Sequence, residues 1–295
     1  ASEESVRGVG LVRKLQIKDM SFAFSRDNLL VTAATFETNR KGQHGPIRVW
    51  DLAAGGQRLQ VIDRYKPEEL MTEQANVALS PDGTQLAYTY LNSSHIRIDN
   101  PRTGEKIHDL ALSEDKLCHQ LVFNEPGTIL ALQIGSGHGD TYLQIVDTTT
   151  GKHRMVGDKP AIKPLHELGG WVSDRGLIPL AFHPKREELA IGKGSSVWIW
   201  RFSNEESSQR PLELDGHRGN VTCLEYDQRG RSLATGSEEG DIRLFDAGNT
   251  TPLGNGDYRE RSDAYGIDKS ALTGHTRKVR QLRFNEEGTR LYSTE

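Results

Sequence analysis

Six segments of the chain share one arrangement of apolar and polar positions. Each opens on a large apolar residue, continues through a polar turn and returns to an apolar run, with the opening residues at Phe24, Leu79, Phe123, Phe182, Tyr226 and Phe284. In five copies a leucine stands seven residues after the opening residue, and in the first copy Leu30 stands at six. Gly, Pro and Asp in the turns supply the dihedral angles of tight connections. Each segment therefore predicts two short antiparallel strands.

A third apolar run follows in five of the copies. It covers residues 46–51, 94–100, 141–147, 196–202 and 241–246. In four copies an aspartate stands at or next to the end of this run, namely Asp51, Asp99, Asp147 and Asp246. A further turn and a short fourth run come next, as in 101–106 followed by KIHDL. The repeating unit is thus predicted to be four short antiparallel strands.

The spacing of the copies separates a basic unit from insertions. Two spacings are 44 residues, close to the length of a bare four-stranded unit, and the longer spacings indicate insertions at 37–45, 157–176 and 249–269. A single small sheet cannot bury both faces, whereas radial stacking buries them against neighbouring sheets. The pattern predicts an all-β propeller forming one domain over 1–295, and the shared spacing disfavours a β-sandwich. The predicted blades cover 17–65, 73–112, 117–157, 176–215, 217–273, and 275–295 with 1–16.

The last of these blades is split between the two ends of the chain. Residues 281–295 supply a first and a second strand, and residues 1–16 can be read as a third and a fourth. In one interpretation the ends complete a sixth blade, which removes exposed sheet edges. In the other, the chain is a fragment of a longer, possibly seven-bladed, propeller. Both interpretations remain open at the level of the sequence.

Composition and charge narrow the classes of partner. Lys and Arg total 37 against 41 Asp and Glu, a formal net charge of −4. This balance disfavours a nucleic-acid or membrane-surface binder, which concentrates positive charge. No apolar run reaches the roughly 20 residues of a membrane helix. No signal peptide is visible, so a cytoplasmic location is expected, unless a signal peptide was lost along with the initiator methionine.

The sequence shows no motif typical of catalysis or cofactor binding. The glycine-rich segment 134–140 lies between two strands, and DTTTGK (147–152) is a turn between strands, so neither predicts a phosphate-binding loop. No Cys or His pair has zinc spacing, and Cys118 and Cys223 read as small buried residues. The sequence predicts no catalytic residues, no cofactor and no metal site.

Residues 214–246 resemble a WD40 repeat. They carry Gly216-His217 ahead of the first strand and Phe245-Asp246 where the family often has Trp-Asp. The resemblance is strongest over 214–246 and 271–295. A second Gly-His pair, Gly274-His275, opens the last copy, and the literal Trp-Asp is Trp50-Asp51.

In the WD40 family a His, a Ser or Thr, an Asp and the Trp form a buried hydrogen-bond network. The resemblance implies structural roles for His217, His275, Asp51 and Asp246. It offers Thr235 or Ser237 as the hydroxyl and Glu239 at the Asp position. Phe245 has no indole N–H, so the network is not expected to close in the usual way.

The function implied by the fold and the resemblance is a non-catalytic scaffold for a protein or peptide partner. Loops on a stiff scaffold are where recognition resides. The expected contact residues are Arg218, Asn220, Arg277 and Lys278, which precede two first strands. The chain is expected to be a monomer or part of a larger polypeptide, for instance its sensor or regulatory segment. The alternative is a propeller hydrolase or lyase with a site at the mouth of the central channel.

Overall fold

The computed structural model describes the larger part of the chain. The described residues are 20–34, 47–62, 76–89, 95–112, 116–135, 141–156, 159–160, 162–164, 178–203, 211–247, 266–267, 272 and 274–295. All regular elements among them are β-strands, and the described residues contain no helix. The chain divides into two compact units, Ala1–His153 and Arg154–Glu295.

The first unit contains three antiparallel sheets whose strands follow one another in chain order. Sheet 1 comprises β1 (Met20–Phe24), β2 (Leu29–Ala34), β3 (Ile47–Asp51) and β4 (Gln57–Ile62). Sheet 2 comprises β5 (Val77–Leu79), β6 (Leu86–Thr89), β7 (His95–Asp99) and β8 (Lys106–Ala111). Sheet 3 comprises β9 (Leu117–Phe123), β10 (Ile129–Gly135), β11 (Thr141–Asp147) and β12 (Lys152–His153).

The second unit repeats this arrangement. Sheet 4 comprises β16 (Leu180–Phe182), β17 (Glu188–Lys193), β18 (Ser196–Arg201) and β19 (Leu212–Leu214). Sheet 5 comprises β20 (Val221–Tyr226), β21 (Ser232–Ser237), β22 (Ile242–Asp246) and β23 (Gly266–Ile267). Sheet 6 is the hairpin of β24 (Gln281–Phe284) and β25 (Leu291–Thr294). The short strands β13 (Met155–Val156), β14 (Lys159–Pro160) and β15 (Ile162–Pro164) precede sheet 4.

Within each unit the hydrophobic core lies between consecutive sheets. Leu29 and Val31 of sheet 1 share a cluster with Val77 and Leu79 of sheet 2. The same holds for sheets 2 and 3, for sheets 4 and 5, and for sheets 5 and 6. Within each unit, consecutive sheets thus bury apolar faces against each other, as the repeat predicted. The fold class is all-β, of the β-propeller type.

A polar side chain directly after the apolar opening residue closes the first turn of every copy. Its acceptor atom receives backbone N–H groups from two to five residues further on, at distances of 2.6 to 3.1 Å. These capping residues are Ser25, Ser80, Asn124, His183, Asp227 and Asn285. The turn donors would otherwise lack a partner in partly buried surroundings, which explains why the position is always polar.

The same turns contain a residue in the left-handed conformation, four positions after the opening residue. Its φ is +65° to +73° at Asn28, Gly83, Gly127, Gly230 and Gly288. Glycine adopts this conformation without a Cβ clash, and Asn tolerates it better than most residues. The fourth copy has Arg186 at this position and closes its turn with the His183 cap instead.

The strands assigned to sheets 1 to 6 lie within the predicted blade ranges, whereas the hairpin of β13 and β14 runs past residue 157 and β15 lies between two ranges. The single-domain organisation and the number of blades remain predictions. Two predicted insertions contain short strands: β14 and β15 lie in 157–176, and β23 lies near the end of 249–269. A strand of two or three residues is too short to show an alternation of apolar and polar positions, so the sequence pattern did not predict these strands. Residues 1–16 and the insertion 37–45 lie outside the described residues.

Candidate functional site

A buried histidine organises one edge of sheet 5. The side chain of His217 is 1% exposed, and its Nδ1 lies 2.6 Å from Asp241 Oδ2. Its Nε2 lies 2.6 Å from Thr235 Oγ1. Asp241 also accepts a short hydrogen bond from the hydroxyl of Ser237. These bonds attach the segment ahead of β20 to β21 and to the turn between β21 and β22.

The aspartate of this network is Asp241, and the prediction of Glu239 for that position was wrong. Glu239 is exposed, and its backbone N–H donates to Ser237 Oγ at 3.2 Å. Gly240, with φ of +83°, redirects the chain so that the residue after it points back towards His217. The three-membered network therefore closes on Asp241, and only the indole donor is missing, because Phe245 stands buried at the Trp position.

The electrostatics of the pair match a structural role. Burial lowers the pKa of His217, although the Asp241 carboxylate opposes this. Burial disfavours the charged form of Asp241, but its bonds from Ser237 and His217 outweigh that effect and hold its pKa below the ordinary value. His217 is therefore neutral at pH 7, donating from Nδ1 to the carboxylate and accepting the Thr235 hydroxyl at Nε2.

Other copies retain different parts of the same network. In sheet 1 the indole Nε1 of Trp50 donates to Thr32 Oγ1 at 3.1 Å. In sheet 2 the Tyr88 hydroxyl donates to Asp99 Oδ2 at 2.7 Å. Asp99 occupies the strand position of Trp50, since Leu86 pairs with Asp99 as Leu30 pairs with Trp50. The degenerate repeats thus keep a hydrogen bond between the same two positions while changing its chemistry.

The last copy places His275 in the same position as His217. Its Nε2 lies 2.6 Å from Ser293 Oγ, and its Nδ1 lies 3.4 Å from Glu295 Oε2. Glu295 also accepts the backbone N–H of Thr276 at 3.1 Å, and this bond, more than the nearby His275, lowers its pKa. The segment ahead of β24 is therefore held to β25 as the segment ahead of β20 is held to β21.

The four residues expected to contact a partner lie on these two segments. Arg218 and Asn220 are exposed ahead of β20, and Arg277 and Lys278 are exposed ahead of β24. The Asn220 side-chain amide donates to Glu238 Oε2 at 2.9 Å.

The turn between β21 and β22 connects the two segments. A Cβ at Gly240 would lie 2.6 Å from the carbonyl oxygen of His275, and a Cβ at Gly219 would lie 2.8 Å from Cγ of Glu239. The Val279 N–H donates to the Ser237 carbonyl at 2.9 Å. The structure thus brings the four predicted residues to one edge, which we call the histidine edge (residues 217–220, 237–241 and 275–278).

The two aspartates predicted to be structural differ in their surroundings. Asp51 Oδ1 accepts the Ala54 N–H at 3.0 Å, and Oδ2 lies 3.1 Å from Arg102 of sheet 2, which also pairs with Asp27 at 2.8 Å. The Ala54 bond and then Arg102 lower the pKa of Asp51 against the effect of burial. Asp246 is exposed at the end of β22, opposite Ser232. Sequence reasoning missed Arg102, because the repeat pattern does not mark contacts between copies.

Two further observations concern metals and membranes. No group of three or more His, Cys, Asp or Glu side chains in the described part of the chain is placed to hold a metal ion. Among the described residues there is also no helix with the length and apolar character needed to cross a membrane.

Burial raises the pKa of the Cys118 thiol to about 12.

Comparison with known proteins identifies the repeat. The family model described as WD domain, G-beta repeat matches residues 208–246. This segment is therefore similar to a WD40 repeat. The resemblance inferred from Gly216-His217 and Phe245-Asp246 is thereby confirmed. The match contains the whole His217, Thr235 and Asp241 network and ends with β22.

Several curated proteins are similar to this chain. The chain is 38% identical over 159 residues to the ribosome biogenesis protein ENP2 of Chaetomium thermophilum, which covers 54% of the chain and 22% of that protein. It is 21% identical over 235 residues to the mouse periodic tryptophan protein 2 homolog, covering 76% and 24% respectively. It is 36% identical over 66 residues to the Arabidopsis thaliana pre-mRNA-processing factor 19 homolog 2, covering 22% and 12%. The chain thus spans less than a quarter of these relatives.

Proposed function

We propose that the chain is a non-catalytic WD40-type scaffold that binds a protein or peptide partner through the histidine edge. The observation that carries this proposal is the attachment of both exposed segments to histidines, of which His217 is buried and His275 is half-buried. His217 and His275 fix the residues immediately ahead of Arg218 and Arg277. The exposed side chains therefore project from a backbone that is already ordered before a partner arrives.

Preorganisation explains why such an edge would bind with useful affinity. Ordering a flexible loop on binding costs free energy, and a loop held by buried hydrogen bonds avoids much of that cost. Arg is enriched among the residues that dominate binding energy. The edge also carries exposed Glu238 and Glu239 between the two basic segments. A partner segment with both acidic and basic or amide groups would match this alternation of charge.

The local chemistry supports binding over catalysis. The hydroxyls nearest to the histidine, those of Thr235 and Ser237, belong to residues with no exposed surface. A substrate would have to displace the strand pairing to reach them. The alternative of a propeller hydrolase or lyase at a channel mouth is tested separately, by metal analysis of the purified protein: a stoichiometric ion would favour it.

The relatives broaden the setting of the proposal. One is named a ribosome biogenesis protein and another a pre-mRNA-processing factor. The matched regions cover 22% and 12% of these two proteins, which supports a chain that acts within a longer protein. A monomeric state, or a place within a larger polypeptide, remains part of the proposal.

The test is a double variant, Arg218→Ala with Arg277→Ala. Partners would first be captured with the unaltered chain and identified by cross-linking and mass spectrometry, and their binding then measured directly. We expect the double variant to weaken binding of the captured partner about tenfold or more, about 1.4 kcal/mol.

The matched control is Arg58→Ala with Lys106→Ala, which removes two exposed cations from the outer strands β4 and β8. Binding should be unchanged in this control, and the melting temperature of both variants should match that of the parent. Equal binding by the parent and the Arg218/Arg277 variant would remove the histidine edge from the interface.

A further inference from the structure

A second group of exposed cations lies at the other end of sheets 4 and 5. Lys185 is exposed in the turn between β16 and β17, and Arg229 and Arg231 are exposed in the turn between β20 and β21. Strand β20 begins beside Asn220 of the histidine edge and ends at Tyr226, directly before the second turn. The two surfaces are therefore separated by the length of the strand, roughly 20 Å for six residues.

The two turns form one continuous surface. Nδ1 of His183 accepts the backbone N–H groups of Lys185 and Arg186, both at 3.1 Å, so Nε2 carries the proton. Nε2 donates to the carbonyl oxygen of Gly230 at 3.1 Å, and a Cβ at Gly230 would lie 2.4 Å from the His183 ring. The buried imidazole thus joins the turn of Lys185 to that of Arg229 and Arg231. We call residues 183–187 and 227–231 the cationic turns.

The carboxylates near these turns are used internally. Asp227 is 3% exposed, and its Oδ1 accepts the N–H groups of Arg231 and Ser232 at 2.6 and 2.8 Å. Glu188 is 1% exposed and accepts the Tyr226 hydroxyl at 3.0 Å. Arg186 and Arg201 lie 3.4 and 3.3 Å from the same carboxylate.

The exposed cations are consequently not neutralised by their own turns. The remaining carboxylate, that of Glu187, pairs with Arg154. Within the described part of the chain, Lys185, Arg229 and Arg231 take part in no ion pair. Three cationic side chains on two joined turns are therefore exposed and form no ion pair with the described residues.

The corresponding turns of the first unit show the opposite arrangement. There Arg26 of the turn between β1 and β2 pairs with Glu125 of sheet 3. Arg102, in the turn between β7 and β8, pairs with Asp27 and Asp51 of sheet 1. These cations thus pair with carboxylates of other sheets in the same unit. The uncompensated charge of the cationic turns is a property of sheets 4 and 5 and does not follow from the repeat.

We infer that the cationic turns bind a short acidic segment of a partner protein. Two guanidinium groups and one ammonium group can bind two or three carboxylates, to which they donate hydrogen bonds. Arg in particular can make two parallel contacts with one planar carboxylate. The turn of sheet 6 next to this surface exposes Glu286 and Glu287. A nucleic-acid duplex, with about one charge per 1.7 Å, would extend from the two turns onto these glutamates and be repelled. The overall net charge of −4 acts in the same direction.

The experiment uses the full chain and a fluorescein-labelled octaglutamate peptide as the probe. Fluorescence anisotropy at about 50 mM salt should show binding that weakens as salt is raised. The charge-reversal pair Arg229→Glu and Arg231→Glu should weaken binding at least about tenfold, which corresponds to about 1.4 kcal/mol. The neutral pair Arg229→Gln and Arg231→Gln should give a smaller loss in the same direction, and melting temperatures show that each variant is folded.

The control pair is Arg58→Glu with Lys106→Glu, which reverses two exposed charges on the outer strands β4 and β8. It should leave peptide binding unchanged if the cationic turns are the site. An equal loss in both pairs would show a general charge effect and overturn the inference, as would absence of peptide binding. A short single-stranded RNA bound more tightly than the peptide, with the same sensitivity to Arg229 and Arg231, would replace the acidic segment by nucleic acid.

Discussion

At the scale of the residue, the position directly after the apolar opening residue holds four different residue types in the six copies. The capping residue after the apolar opening position is Ser, Asn or Asp in five copies and His183 in the fourth. A histidine can cap because its neutral ring offers one acceptor nitrogen and one donor. Burial first, and Arg186 second, lower the pKa of His183, while Glu188 and Asp227 oppose this. The cap exists only in the neutral state, since protonated Nδ1 cannot accept the N–H groups of Lys185 and Arg186.

The first prediction concerns the dependence of stability on pH. Because the folded pKa of His183 lies below the ordinary value of 6.5, the unfolded chain binds more protons in this range. The stabilisation is complete above about pH 6.5 and is lost as the pH falls towards the folded pKa. The melting temperature should therefore fall between about pH 7.5 and pH 5. His217, whose pKa is also lowered, contributes in the same direction.

The matched variant is His183→Asn, because Asn124 and Asn285 cap the same turn in other copies. This variant should still fold. Its melting temperature should fall less on acidification than that of the parent, and some fall should remain because His217 still titrates. An unaltered pH profile in this variant would show that His183 does not couple protonation to folding.

The second prediction concerns the hydrogen bond between Trp50 and Thr32, which is the part of the network that sheet 1 retains. Trp50→Phe removes the indole N–H, so the hydroxyl oxygen of the buried Thr32 no longer accepts this hydrogen bond. Phe245 shows that a phenylalanine is accepted at the same strand position. We expect a loss of about 1 kcal/mol in the free energy of unfolding by urea. In a Thr32→Val background the same substitution should have a smaller effect, and equal losses in both backgrounds would assign the effect to packing alone.

At the scale of the element, the turns decide how closely successive sheets approach. The left-handed glycines also face the preceding copy: a Cβ at Gly83 would meet Asp27, and one at Gly127 would lie 3.1 Å from Ser80 Cβ. The glycine is thus required twice, by its own φ and by the neighbouring turn. The sequence predicts the first requirement from the turn pattern. The second depends on which turns are neighbours, and that depends on the stacking of the sheets.

The third prediction separates these two requirements. Gly56 has φ of +77° and nothing within 4 Å of its Cβ position, whereas Gly127 has φ of +73° and the Ser80 contact. Gly56→Ala should lower the free energy of unfolding by about 1 kcal/mol from backbone strain alone. Gly127→Ala should lower it by about 2 kcal/mol, because a contact is added to the same strain. Equal losses, measured by urea unfolding, would mean that the neighbouring turn yields at no cost.

At the scale of the whole molecule, the inner strands are more buried than the outer strands whose burial the structure describes. All seven residues of β10 and all six of β17 are buried, whereas β8 alternates between exposed and intermediate positions. The second and third strands pair on both sides and the fourth on one. Local stability should therefore fall from the inner strands to the outer strand in every sheet.

The fourth prediction follows from this gradient. Amide hydrogen exchange followed by mass spectrometry should show the slowest exchange in peptides covering β6, β10, β17 and β21. Peptides covering β4, β8 and β19 should exchange earlier, because their outer edges and side chains face solvent. Equal protection of β8 and β10 would contradict the gradient and indicate that something covers the outer strands.

The sequence by itself determined the strands, the turns and the stacking of small sheets. Apolar alternation and turn residues are local properties, so MSFAF and VTCLEY predicted β1 and β20 at their observed bounds. Only the tertiary structure decided which carboxylate reaches His217, which cations pair across sheets and which remain exposed. His217 binds Asp241 and not Glu239. Arg102 pairs with Asp27 and Asp51, whereas Arg229 remains exposed. Such pairings depend on side-chain distances of a few ångströms, which a repeat pattern does not encode.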